Sequence, residues 1–88
     1  MLKISEIARN DSSRTFKLEG KLLGPWVDEL RNVCVQPLDR LGQVGLDLAA
    51  VTFVNAAGTE LLRELIREGI IITQCSAFVA ELLHAEEP

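Results

Sequence analysis

Few residues in this sequence could do chemistry, and their spacing decides what they could do together. His84, Cys34 and Cys75 are the only imidazole and thiols in 88 residues. They cannot close a four-ligand structural zinc site without a carboxylate, so no metal centre is expected. His84 follows Leu82 and Leu83 with no serine or cysteine nucleophile at a companion position. It reads as a solvated residue near a helix C-terminus, not as a base. Both thiols read as small buried hydrophobes, and no disulfide is expected. Cys75 and Ser76 precede a helical stripe, where a Ser76 N-cap is a simpler reading than an activated thiol. Asp47, placed toward the end of an apolar strand, either faces a ligand or accepts loop amides. The six glycines form no phosphate-binding loop, and neither paired carboxylates nor a nucleophile elbow stands out. The chain is therefore expected to be neither an enzyme nor the carrier of a cofactor.

One short segment does carry a pattern: Asn55, Ala56, Ala57, Gly58 and Thr59, followed by leucines at helical spacing. Asn55 can cap the helix, its side-chain oxygen accepting from the Ala57 or Gly58 N–H. Gly58 permits either a close backbone approach or an unusual backbone angle. Thr59 is the nearest hydroxyl, and a threonine near a helix start usually serves as a capping or turn residue. The segment is either a well-capped helix start alone or a docking surface. In the second case unpaired N–H groups and the helix dipole would favour negative charge there. Gly58→Arg is expected to abolish docking and spare the fold, on condition that Gly58 is exposed at an ordinary backbone angle.

The elements that must position this segment read as follows. Residues 2–7 form a strand, at an edge, whose alternation breaks step at Ile7. Asn10, Asp11, Ser12 and Ser13 are a turn cluster. Phe16, Leu18, Gly20 and Leu22 then alternate with Lys17, Glu19 and Lys21, so the two strands make a hairpin solvated on one side. Gly24 and Pro25 start a helix, with Trp26, Leu30, Val33 and Cys34 as its apolar stripe, and Pro37 should end or kink it near Val35. Trp26 is a natural interface anchor beside the loop of Leu23 and Gly24, but at helical spacing it is expected in the core. Val44, Leu46 and Leu48 mark a central strand that runs on through Val51 and Phe53, both spaced to face the core. Leu61, Leu62, Leu65 and Ile66 are the buried stripe of the second helix, closed by Gly69. Residues 70–73 read as a buried strand. Phe78, Val79, Leu82 and Leu83 line a last helix, whose tail at Glu86 and Glu87 is expected to fray. The order is ββαβαβα: one α/β domain over residues 1–88, with a mixed, mostly parallel four-stranded sheet packed by helices.

Composition narrows the function classes. With 48% hydrophobic residues the chain can build a core. A formal charge of −4 repels phosphate backbones, so no nucleic-acid partner is expected. No apolar run approaches the roughly 20 residues a bilayer span needs, and the first residues lack an apolar signal core. A soluble, cytoplasmic protein without direct membrane insertion is expected.

Leu18-Glu-Gly-Lys-Leu22, an amphipathic helix, and the run from Leu46 through Asn55-Ala56-Ala57-Gly58 together resemble the STAS family (sulphate-transporter and anti-sigma-factor-antagonist domains). The resemblance runs from Phe16 to His84. In the family's regulatory members the loop reads Asp-Ser-Ser-Gly, and a cognate kinase phosphorylates the second serine. Asn55 then stands at the Asp, Ala56 and Ala57 at the serines, and Gly58 at the glycine. Leu23 stands where an acid is common. The resemblance thus implies a bacterial protein–protein interaction module of signalling or transcription regulation with a degenerate phosphorylation loop. Its partner would be an anti-sigma factor of the serine-kinase type. An alternative is a cytoplasmic accessory subunit that binds the ATPase of an ABC-type lipid transporter. Monomer and weak dimer both stay open, as do nucleotide binding at the helix start and Thr59 as a replacement acceptor.

Overall fold

A polar turn joins the first two strands. In this computed structural model, which describes residues 2–41 and 43–84, with 35–41 and 84 described by backbone alone, β1 (Leu2–Arg9) runs antiparallel to β2 (Arg14–Leu22). Asn10 Oδ1 accepts the backbone N–H groups of Ser12 and Ser13, both at 2.8 Å, and fixes the turn. Ile7, where the alternation breaks, is the extra residue of a β-bulge between Glu6 and Ala8, and it is exposed. β1 is an edge strand, as its sequence suggests: the order is β1-β2-β3-β4, with β3 (Val44–Val54) parallel to both β2 and β4 (Ile71–Cys75).

The expected order ββαβαβα is the observed one, with α1 (Pro25–Leu41), α2 (Ala56–Arg67) and α3 (Ala77–His84). Phe16, Leu18 and Leu22 of β2 and Val44, Leu46, Leu48, Val51 and Val54 of β3 share one core cluster with residues from all three helices. On the opposite face Lys3 and Lys21 are exposed and Lys17 and Glu19 half-buried, so the domain has two layers. In α1 the core contacts are Val27, Leu30 and Cys34, spaced to fall on one helical face. Trp26 and Val33, expected in that stripe, are half-buried at its margin. The helix does not end at Pro37; it runs to Leu41. Proline's fixed φ is itself helical, so the chain can continue past it, although the ring removes one hydrogen bond and crowds the carbonyl four residues back.

Gly69 closes α2 as expected. Its N–H donates to Ile66 O at 3.1 Å and that of Ile70 to Leu65 O at 2.9 Å, a Schellman pattern around a glycine at φ +112°. Ile70 is therefore buried as part of this cap, and β4 begins one residue later. The expectation of a buried strand over 70–73 fails here. β4 is an edge strand with β3 as its neighbour, and Ile71 is 47% exposed. Cys75, at the end of this edge strand, is exposed too, unlike buried Cys34. Ile66 and Phe78, both expected in apolar stripes, lie outside the faces set by Leu61, Leu62 and Leu65 and by Val79, and are exposed. Ser76 caps α3 as expected, its Oγ accepting the Val79 N–H at 3.3 Å. The side chain of His84 and the tail at Glu86 and Glu87 lie outside the described residues.

Arg31 on α1 and Glu64 on α2 join the two helices through an Nη1–Oε1 contact of 3.0 Å. That hydrogen bond and its charge hold the Glu64 carboxyl below the usual carboxylate range and raise Arg31 correspondingly.

Candidate functional site

Parallel strands β2 and β3 end side by side, with Leu22 opposite Val54. A helix leaves each end. C-terminal strand ends are where α/β sheets present loops to ligands and partners. The two departures are tied together by Asn55, whose N–H donates to Leu22 O at 3.2 Å.

Asn55 is the N-cap of α2, with extended backbone at φ −82° and ψ 179°. Of the two amides open to its side chain, Gly58 N–H is the one bonded, at 2.8 Å. The Asn55 carbonyl accepts twice, from Thr59 N–H at 2.9 Å and from the Thr59 hydroxyl at 3.1 Å. Thr59 is 7% exposed, so its oxygen is a buried part of the cap and not an accessible acceptor for a phosphoryl group. Asn55→Ala should cost about 1 kcal/mol of stability, read as a lower urea midpoint at unchanged slope.

Gly58 is buried, and its role is close approach. A Cβ on it would lie 2.9 Å from Val54 Cγ1 and 3.0 Å from both Leu22 Cγ and Leu22 O. The condition under which Gly58→Arg spares the fold is therefore not met. Of the five residues singled out, Ala56 and Ala57 are exposed, Asn55 is half-buried, and Gly58 and Thr59 lie beneath. The reachable surface is two methyl groups on a helix start whose geometry is fixed from below.

Of the neighbouring loop, Leu23 is half-buried and Gly24 exposed. Their carbonyls accept the N–H groups of Trp26 and Val27, each at 3.2 Å, and so start α1. Trp26 does not join this surface: its side chain lines a cleft with Leu2 and Ile4 of β1. Asp47 is likewise elsewhere. It is the fourth residue of an 11-residue strand, not its end, and it accepts the Ala49 N–H at 3.0 Å.

A residue near this strand end departs from its sequence pattern. Phe53, expected in the core, is 43% exposed one residue before Val54. Core-facing positions along β3 run 44, 46, 48, 51 and 54, and the two steps of three coincide with register shifts against β2. Each extra residue flips the alternation, which turns Phe53 outward.

Burial pushes the Cys34 thiol up to about 12, and among the described residues no group of three metal-binding side chains occurs. Among the described residues no helix is long and apolar enough to cross a membrane.

No family model matches the sequence, and no curated protein matches it. Solved structures do. The anti-sigma factor antagonist SpoIIAA in its unphosphorylated form superposes with a TM-score of 0.78, at 15% identity, over 94% of this chain and 79% of that one. The chain has the STAS fold. A STAS domain from Rhodobacter sphaeroides, an antisigma-factor antagonist, also matches, with a TM-score of 0.64 at 17% identity over 90% of each chain. At such identities the likeness is one of backbone. It agrees with the four-stranded mixed sheet and three helices described above.

Proposed function

We propose that this STAS-fold domain is a non-enzymatic protein-interaction module of the anti-sigma-factor-antagonist kind, lacking a phosphorylatable serine. In this reading it docks a serine-kinase-type anti-sigma factor in a bacterial regulatory pathway. The observation that carries the reading is the pair of exposed alanines, Ala56 and Ala57, on a helix start locked by the Asn55 cap and the buried Gly58. A phosphate at such a place would add about −1.5 to −2 charges to a docking surface. Methyl groups cannot carry that switch, so the surface stays in one state. The neighbouring loop of Leu23 and Gly24, joined to it through the Asn55 N–H bond to Leu22 O, extends it with apolar and backbone area.

The test is binding and phosphorylation together, using serine-kinase-type anti-sigma factors of the same cell with ATP. A complex should form and the mass of this chain should stay unchanged. Ala57→Arg, which places bulk on an exposed position, should weaken the complex at least about tenfold with an unaltered unfolding curve. A phosphoryl adduct on residues 55–59, or wild-type affinity in Ala57→Arg, overturns the proposal. Co-purification with the ATPase of a lipid transporter, and with no anti-sigma factor, overturns the choice of partner.

A further inference from the structure

The register of the hairpin places Leu2, Ile4 and Glu6 opposite Gly20, Leu18 and Phe16, on the face that the helices cover. Leu2 and Phe16 are buried, but Ile4 is only half-buried, so this flank of the sheet is incompletely roofed. What remains is a cleft of about 480 Å³ between β1 and the first half of α1. That volume lies within the range of roughly 300–1,000 Å³ typical of small-ligand sites.

The chemistry of its walls is specific. Leu2, Ile4 and Val33 give apolar lining, and the single tryptophan of the chain, Trp26, gives an aromatic surface. At one end Arg14 is paired with Glu6 and lies over the Phe16 ring, 5.0 Å from its centroid. Arg9 lies 4.0 Å from the same Glu6 carboxylate, so both cations at this end are already engaged. Glu29 also lines the cleft, is exposed, and has no ion-pair partner among the described residues. Beside it stands the exposed amide of Asn32. The carboxylate left beside the indole is that of Glu29, three residues after Trp26 on the same helix. Such a combination attracts a cation: the indole through its ring quadrupole, the carboxylate through its charge.

We propose that this cleft binds an organic cation carried on an apolar stem, an ammonium or guanidinium group reaching Glu29 and Trp26 while its stem covers Leu2 and Ile4. The same chemistry is offered by a free alkylamine and by a lysine or arginine side chain of a peptide. The site does not include Ala56 or Ala57, so it stands or falls independently of the docking surface there.

Trp26 makes the test direct, because all tryptophan fluorescence of the chain comes from this cleft. Hexylammonium and a short acetylated Leu-Lys-Leu amide are titrated, with hexanoate and hexanol as controls, and calorimetry checks each titration. Saturable binding of either cation is expected, weakened by salt and about fivefold weaker in Glu29→Gln. Glu81→Gln, on α3, should bind as wild type. Tighter binding by the peptide assigns the site to a protein side chain, and tighter binding by hexylammonium assigns it to a free amine. The proposal is overturned by no saturable binding of either cation. Hexanoate binding as well as hexylammonium, or Glu29→Gln binding like wild type, overturns it equally.

Discussion

Gly58→Ala should destabilise the domain by about 1–2 kcal/mol, against the direction that helix propensity alone would give. Alanine within a helix is worth up to about 1 kcal/mol over glycine, so an unconstrained site would gain stability. Here the new Cβ would meet Val54 Cγ1 at 2.9 Å and Leu22 Cγ and O at 3.0 Å. Overpacking of this kind costs about 1–3 kcal/mol. One of the three contacts is a backbone oxygen, itself held by the Asn55 N–H at 3.2 Å, and it cannot rotate away. The clash therefore outweighs the propensity gain. In a domain of this size each lost kcal/mol lowers Tm by about 4–8 °C. Gly58→Arg, with a long side chain at the same place, should leave little folded protein at all. A thermal melt of Gly58→Ala matching or exceeding that of the wild type would show that α2 can lift away from Leu22, and that Ala56 and Ala57 are not held as described.

The contrast between Gly58 and its neighbours shows where the sequence speaks and where it falls silent. Asn55 was legible as a cap because capping is local: one side chain, one amide, three residues apart. Gly69 was legible for the same reason. Gly58 has two readings in sequence, a special angle or a close approach, because the atoms that decide between them belong to β2, 36 residues away at Leu22. Phe53 misleads because alternation is counted along a chain, whereas two register shifts in β3 are set by its pairing with β2. Ile71 misleads because β-branched composition marks a strand and not the number of its neighbours. Trp26 fits a helical stripe equally well at its centre or its margin. Only the position of α1 over β2 puts it at the margin, in the cleft. What the sequence could carry was the order of elements and the helix start. What it could not carry were contacts between distant segments.

Leu22→Ala should cost more than any change within the loop itself, about 3 kcal/mol. Leu22 is fully buried at the end of β2, opposite Val54 in register and beneath Gly58. Truncation would leave a cavity under the N-terminus of α2, since the strand end that supplies its carbonyl to Asn55 N–H cannot collapse without breaking that bond. The loss is a large share of the 5–15 kcal/mol typical of a whole domain, and a urea titration reads it directly. Combined with Gly58→Ala, the two costs should fall short of additivity by at least about 0.5 kcal/mol. The shortened side chain removes the Leu22 Cγ contact and leaves room for part of the new methyl. Strict additivity would place the obstruction in Val54 and the Leu22 carbonyl alone. The same variant separates shape from chemistry at the docking surface. Ala57→Arg changes what a partner touches without changing what holds it. Leu22→Ala leaves every exposed atom of Ala56 and Ala57 in place and loosens the support beneath them. If a fixed helix start is what a partner recognises, affinity should fall in Leu22→Ala as well, measured where the variant is still folded. Unchanged affinity there would mean that the alanine methyls suffice and that their rigid seating is irrelevant to binding.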